Sequence, residues 1–276
     1  MDSAYEWKQY YAAERARLGA RALLAQVDAA QPLELRGNGA IVVPHTRIEV
    51  TGNQIAAAVS TVLASDAERV LALGVLHGAR RCDHDRVTAA RNGDLGARTA
   101  LRGVHDEDGL ASEEFSLDGF VDMLALACDR VGRRIDVVCR YPFLVGDDPA
   151  SLPGIEELEQ LFDGGALLVA TTDPIHHGHA YGTPSHECLD AAEASTLDAA
   201  RSAIDDQLIA LSEHRFADFA QLAEQHRSDF RDTGPVTARL IGEGFTPQVH
   251  DLALVDYSDA LAAPVPSWVA GALITL

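Results

Sequence analysis

Apolar runs alternate with amphipathic segments along most of this chain. Residues 4–29 carry apolar side chains at helical spacing, which predicts an amphipathic helix within an N-terminal extension over residues 1–36. Buried apolar runs predict strands directly after the turn at residues 37–39 and near 69–75, 135–140, 166–171, 250–256 and 267–275. Helical spacing predicts helices near 53–63, 116–131, 152–162, 186–213, 215–227 and 235–243.

Strands that alternate with helices in this way are typical of an α/β fold with a mostly parallel central sheet flanked by helices. The chain has 276 residues, which is enough to bury a full core. No repeat, low-complexity linker or charge block divides it, so we expect one α/β domain over residues 37–276. Residues 77–95 are rich in His, Asp and Arg and are expected to form a polar loop.

Charge and cysteine content narrow the classes of function. The 22 basic and 42 acidic residues give a net charge of −20, which argues against nucleic acid as a partner. The four cysteines form no C-x-x-C pair and are expected to be reduced thiols. The first residues lack a signal-peptide pattern, and no apolar run approaches the roughly 18 residues of a membrane span. We therefore expect a cytoplasmic protein with no membrane partner.

Three histidines follow three of the predicted strands. His45 comes after the run that ends in Pro44, His77 follows the strand near 69–75, and His176 follows the strand near 166–171. In an open α/β sheet the carboxyl ends of the strands converge on one crevice, where ligands bind. Three imidazoles that meet there would suit a catalytic divalent metal. We therefore predict His45, His77 and His176 as metal ligands.

Further candidates flank these ligands. Asp173 precedes His176 closely and could orient an imidazole or transfer a proton. His177 and His179 could act as acid or base near neutral pH, and His179 is also a candidate substrate contact. Only one of His176 and His177 is expected to bind metal, because the two would point in different directions. Arg47 could clamp an anionic group of a substrate.

In this order, the histidine segments resemble the motifs of the Memo family, which is structurally similar to class III extradiol ring-cleaving dioxygenases. The family pattern Pro-His-Ala-Gly-Tyr-x-Tyr-Ser-Gly corresponds to residues 44–52, Leu-Gly-Pro-Ser-His to 73–77, and Ser-Ser-Asp-x-x-His-x-Gly to 171–178. The resemblance covers about residues 38–276. It implies a class III extradiol dioxygenase-like fold and places His45, His77 and His176 on the metal-ligand positions.

The chain also departs from the family pattern. Ile48 and Val50 stand where the family has two tyrosines, and Phe115 stands at a family histidine, which makes Phe115 a candidate substrate contact. The late Cys-Gly motif of the family falls near residues 231–235, which contain no cysteine. The metal site would then consist of histidines alone, or would be completed by Asp232 or water. The resemblance thus implies a divergent member with a remodelled pocket.

Three hypotheses for the function remain open. The first is a mononuclear non-haem Fe(II) dioxygenase or oxygenase that acts on a small anionic molecule with O₂. The second is a zinc-dependent hydrolase of an amide or ester, since imidazoles suit zinc as well as iron. The third is a non-catalytic Memo-like binding protein. A homodimer is possible, because the N-terminal helix could pack on its own domain or on a second copy.

Overall fold

The computed structural model describes residues 4–276 of the chain. This part contains ten α-helices and eight β-strands. Residues 1–3 of the predicted extension lie outside the described residues. The strands are β1 Ala40–Val43, β2 Arg69–Leu73, β3 Gly103–His105, β4 Asp136–Phe143, β5 Leu167–Thr171, β6 Ile175–Gly178, β7 Gln248–Asp256 and β8 Ser267–Thr275. The helices are α1 Ala4–Ala29, α2 Ile48–Ala64, α3 His84–Arg91, α4 Leu95–Leu101, α5 Asp118–Val131, α6 Ile155–Asp163, α7 Ala194–Ser212, α8 Phe216–Gln225, α9 Phe230–Ile241 and α10 Ser258–Leu261.

The strands form one mixed sheet in the order β3-β4-β2-β5-β1-β8-β6, and β7 also pairs with β8. The four central strands β4, β2, β5 and β1 are parallel. The outer strands β3, β6, β7 and β8 pair in antiparallel fashion. The prediction of a mostly parallel sheet is therefore confirmed for the centre of the sheet, and its outer strands make it mixed.

Alternate residues of the central strands enter two separate cores. In β1, Ile41 and Val43 join the core beneath α2 and α5, whereas Ala40 and Val42 join the core beneath α6, α7, α8 and α9. Because both faces of the sheet are covered, the strands are apolar throughout rather than alternating. The fold is thus a single α/β domain with helices on both sides.

The register of the parallel strands aligns their carboxyl ends. Val43 of β1 lies opposite Thr171 of β5, and Leu73 of β2 lies opposite Ala170 of β5. The loops that follow β1, β2 and β5 therefore leave the sheet side by side. Ligand sites of open α/β sheets lie at this edge.

The predicted N-terminal helix matches α1, which packs against the main domain. Its backbone leaves the helical conformation at Gly19, where φ is 75°. After this break, Leu23 and Val27 are buried in the core beneath α2. Before it, Tyr11 packs in a small cluster with Phe115 and Tyr257, close to the carboxyl ends of the strands.

A carboxylate of α1 caps the neighbouring helix α2. The first turn of an α-helix has backbone N–H groups without intrahelical partners. The side chain of Arg47 at the N-cap of α2 makes no cap hydrogen bond. Instead, the buried carboxylate of Glu14 accepts hydrogen bonds from the N–H groups of Ile48 at 3.0 Å and Glu49 at 3.2 Å. Glu14 therefore holds α1 against the start of α2.

Several boundaries differ from the predictions. The polar stretch 77–95 is not one loop, because α3 and the start of α4 form within it. The helix predicted from residue 186 begins at Ala194, and the helix predicted from 235 begins at Phe230. The short strands β3 and β6 were not predicted, since three or four residues carry too little periodic signal. None of the described helices is long and apolar enough to cross a membrane.

The substitution Glu14→Ala should lower the free energy of unfolding by about 1–2 kcal/mol, because it removes the cap of α2. Urea denaturation followed by circular dichroism measures the change. Glu34→Ala is the matched control, since Glu34 is exposed. Equal stability of both variants would contradict a capping role for Glu14.

Candidate metal centre

Three loops bring the predicted ligands to one edge of the sheet. His45 lies two residues beyond the end of β1, His77 lies four beyond β2, and Asp173 lies two beyond β5. His176 reaches the same region from β6, which pairs with the outer strand β8. The structure thus brings all three predicted histidines together.

One carboxylate oxygen lies at the centre of the cluster. Oδ2 of Asp229 is 3.0 Å from Nε2 of His77, 3.4 Å from Nε2 of His45 and 3.5 Å from Nε2 of His176. A second carboxylate, Asp173, places its Oδ2 3.6 Å from Nε2 of His45. The site therefore combines three imidazoles with two carboxylates.

The opposite ring nitrogens orient the three imidazoles. Nδ1 of His176 lies 2.9 Å from the carbonyl oxygen of Arg227, which can only accept a hydrogen bond. Nδ1 of His77 lies 3.3 Å from Oε1 of Glu114, and Nδ1 of His45 lies 2.8 Å from the hydroxyl of Thr171. With a hydrogen on each Nδ1, all three Nε2 lone pairs point towards Asp229. This is how proteins usually orient metal-binding histidines.

Glu114 anchors the loop that carries His77. Its fully buried carboxylate accepts hydrogen bonds from the N–H groups of His77, Gly78, Phe115 and Ser116. In the structure it precedes α5 and fixes both the backbone and the ring of His77. Sequence reasoning missed this role because the bonds join loops far apart in the chain.

The charges of the cluster depend on one another. Burial opposes ionisation of Asp229, but His176 and His77 hold the pKa of its carboxyl well below the usual range. Burial also disfavours the His77 imidazolium, yet Asp229 and Glu114 raise the pKa of His77 to about 10. Burial raises the pKa of Asp173, although His45 and His176 oppose that rise. In the metal-free protein a proton on His77 thus provides positive charge beside Asp229.

The donor atoms fit a divalent cation. These atoms fall into two groups: the first belongs to His45, His77 and Asp229, and the second to Asp173, His176 and Asp229. Within each group, all ligand atoms lie within 4.8 Å of one another. Tetrahedral zinc with bonds of about 2.0–2.1 Å separates its ligand atoms by roughly 3.3 Å. The 3.0–3.5 Å distances from Asp229 to the three imidazoles lie near this value. Asp229 belongs to both groups and links them.

His177 and His179 lie outside the cluster. Neighbouring residues of a strand point to opposite faces, so His177 turns away from His176. Its ring stacks on Trp268 with centroids 4.7 Å apart, and its Nε2 accepts the N–H of Leu189. His179 follows β6 and does not line the cavity beside the cluster. The predictions that His177 moves protons and that His179 contacts substrate at this site are not supported by these positions.

The predictions that Arg47 and Phe115 contact substrate have different outcomes. The guanidinium of Arg47 lies 3.2 Å from Glu49 and 3.8 Å from Glu14, and it does not line the cavity. Arg47 is therefore not placed to clamp a substrate anion. Phe115 does line the cavity, where its ring stacks on His77 with centroids 5.0 Å apart.

Asp229 was missed by the sequence analysis, which considered Asp232 instead. Asp232 is buried, and its Oδ1 accepts the N–H of Val145 at 2.9 Å. Asp229 occupies the N-cap of α9, where the helix dipole favours a negative charge. An acidic residue before a helix was the available signal, but the predicted start of that helix lay at residue 235.

A cavity of about 110 Å³ opens beside the cluster. Apart from the histidines and aspartates, it is lined by Trp7, Tyr11, Phe115, Tyr181, Tyr257 and Val269. The hydroxyl of Tyr257 accepts the N–H of Arg47 at 3.1 Å and shares hydrogen bonds with the hydroxyls of Tyr11 and Thr46. The bond to Tyr11 fastens α1 to the wall of the cavity, and the other two hold the loop between β1 and α2.

No model of a known protein family matches this chain, and no curated protein sequence matches it.

Tyr257→Phe should destabilise the protein by about 1–3 kcal/mol, because three hydrogen-bonding groups lose their shared partner. Thermal or urea denaturation measures the loss. Tyr181→Phe is the matched control, since Tyr181 lines the same cavity and takes part in none of these three bonds. Similar losses in the two variants would rule out the Tyr257 hydroxyl as a fastening point.

Proposed function

We propose that the protein is a metal-dependent oxidoreductase, a mononuclear non-haem Fe(II) oxygenase that uses O₂ on a small molecule. The observation that carries this proposal is the position of Asp229 Oδ2 within 3.5 Å of three imidazole Nε2 atoms. Buried carboxylates need a positive charge nearby to balance them. A divalent cation held by the carboxylates and the imidazoles would supply it.

His45, His77, His176 and Asp229 would hold the metal, with Asp173 beside them. These ligands are nitrogen and oxygen atoms, which suit Fe(II) or Zn(II) better than Cu(I). Of the described cysteines, none lines the cavity. When bound, iron would supply the one-electron chemistry that lets dioxygen react with an organic molecule.

The protein residues around the metal would bind the substrate and move protons. Asp173 is buried at the cavity and its raised pKa suits a carboxyl that accepts and returns a proton. Burial raises the pKa of Tyr181, so its hydroxyl stays protonated and can donate to a ligand. Phe115 and the side chains Trp7 and Tyr11 of α1 line the cavity with apolar surface, which would help to exclude water. Excluding water protects reactive species from side reactions.

We further propose that the chain is a divergent relative of the Memo family with a class III extradiol dioxygenase-like fold. The three motifs quoted above, in the same order, support this relationship. Each motif lies at the carboxyl edge of the central sheet. In this interpretation Asp229 replaces the missing family cysteine as a ligand, and a hard oxygen takes the place of a soft sulfur.

A second candidate function is a zinc-dependent hydrolase of an amide or ester. The distances around Asp229 favour it, because they lie near the edge length of a tetrahedral zinc site. Zinc would polarise a water molecule for attack on the substrate. Asp173 would then act as the base that accepts the proton of that water.

Protein purified without oxygen and analysed for metal would distinguish these functions. Stoichiometric iron, with oxygen uptake on addition of substrate, is the result expected for an oxygenase. Zinc with hydrolysis and no oxygen uptake would favour the second candidate. Protein that binds no metal, or that keeps its biological effect when metal is removed, would contradict both and favour a binding protein.

Each single alanine substitution of a proposed ligand should remove most of the bound metal and abolish turnover, because it deletes a donor atom. The four variants are His45→Ala, His77→Ala, His176→Ala and Asp229→Ala. Metal content by mass spectrometry and turnover assays measure both effects. His179→Ala is the matched control and should retain both. Full metal content and activity in any of the four variants would overturn the assignment of that ligand.

Glu114→Gln should weaken metal binding about 10- to 100-fold, because it loosens the imidazole that it orients. Competition with a chromogenic chelator measures the affinity for Zn²⁺. The neighbouring substitution Glu113→Gln provides the control. If both variants bind Zn²⁺ as tightly as the parent protein, Glu114 does not position His77 for metal.

A further inference from the structure

The side chains around the cavity are aromatic or acidic, apart from the three histidines and one valine. The aromatic members come from four separate parts of the chain: Trp7 and Tyr11 of α1, Phe115 before α5, Tyr181 after β6 and Tyr257 after β7. The acidic members are Asp173 and Asp229. Among the described lining residues there is no lysine or arginine. A ligand in the cavity therefore meets ring surfaces and carboxylates.

Three of the basic side chains near the cavity are held by other partners. Arg47 pairs with Glu14 and Glu49. Lys8 donates to the carbonyl oxygen of Glu114 at 2.9 Å. Arg15 pairs with two carboxylates of α5, those of Asp118 and Asp122. A carboxylate or phosphate group of a ligand would find no free cationic side chain among these residues.

A bound divalent metal does not reverse this preference. The negative charges of Asp173 and Asp229 balance the two positive charges of such an ion. Glu114 adds a third carboxylate behind His77. The whole chain has a net charge of −20, which attracts cations and repels anions over longer distances. With metal bound, the carboxylates therefore leave no excess positive charge to attract an anionic ligand.

The aromatic side chains provide the surface that organic cations prefer. The rings of Trp7 and Tyr257 pack edge to face with centroids 5.5 Å apart, and those of Tyr11 and Phe115 are 5.3 Å apart. Trp7 is only partly buried, so part of its ring remains accessible. Clustered aromatic rings bind quaternary ammonium groups through cation–π attraction.

We propose that this cavity binds a small organic cation, an amine or a quaternary ammonium compound, rather than the small anion that Arg47 suggested. The inference rests on the proposed function, because the cation would lie beside the metal as its substrate. The aromatic side chains that α1 contributes, Trp7 and Tyr11, would determine this specificity.

Probes of similar shape and different charge test the inference. Tetramethylammonium, tert-butanol and trimethylacetate are titrated by calorimetry into the full-length protein, both zinc-loaded and metal-free. The cation should bind roughly 2- to 30-fold more tightly than the neutral alcohol, and the anion most weakly. Equal or tighter binding of the alcohol or the anion would overturn the inference, and so would binding of none of the three.

Two variants separate the aromatic contribution from folding. Trp7→Leu should lower the affinity for tetramethylammonium several-fold and leave that for tert-butanol nearly unchanged. Tyr181→Leu, which lies outside α1, should have the same effect even if Trp7→Leu loosens the helix. Equal losses for both probes in both variants would overturn the role of the rings.

A separate titration of the metal-free protein with zinc distinguishes failure of this inference from failure of the proposed function. A protein that binds zinc without a preference for the cation contradicts only the inference about the ligand. A protein that binds no zinc but prefers the cation contradicts the proposed metal centre and leaves the ligand preference intact.

Discussion

The carboxylate of Asp229 is the point at which the three imidazoles meet. Its Oδ2 lies 3.0–3.5 Å from Nε2 of His77, His45 and His176. A charge taken out of water is stable only where opposite charges and hydrogen bonds compensate it. Three carboxylates at the site, those of Asp229, Asp173 and Glu114, are largely shielded from solvent. Water therefore cannot stabilise their negative charges, and a positive charge nearby is needed. A proton on His77 supplies such a charge without metal, and a divalent cation would supply it in its place.

The arrangement of the sheet is what makes this meeting possible. Parallel register aligns the ends of β1, β2 and β5, so that short loops deliver His45, His77 and Asp173 to one edge. His176 and Asp229 come from outside this parallel set, on β6 and at the start of α9. The backbone N–H of Asp229 donates to the carbonyl oxygen of Asp173, which ties the two loops together.

Much of the fold was predictable because its signals are local. The apolar runs of β1, β2 and β5 and the helical spacing of α1 lie within short windows of sequence. The same holds for the histidines at the strand ends. Asp229 was not predictable in this way, since its role depends on a loop brought close by folding. Glu114 was missed for the same reason, because its acceptor role involves N–H groups 36 and 37 residues away.

The positions of Arg47 and His177 illustrate a second limit of sequence reasoning. Both are close in sequence to predicted ligands. Whether neighbours in the chain share a site depends on the direction in which each side chain points. Strand geometry turns His177 towards Trp268. The acidic residues Glu14 and Glu49 hold Arg47 outside the cavity. Conversely, Tyr11 and Trp7 are far from the histidines in sequence and still line the cavity. Chain proximity is therefore a weak guide to the wall of the pocket.

X-ray absorption spectroscopy of the protein loaded with Fe(II) under anaerobic conditions identifies the atoms that bind the metal. We expect one bound metal per chain with only nitrogen and oxygen ligands, at roughly 2.0–2.2 Å, and with the scattering pattern of several imidazoles. Sulfur at about 2.3 Å, or protein that binds no stoichiometric metal, would contradict a centre built from His45, His77, His176 and Asp229.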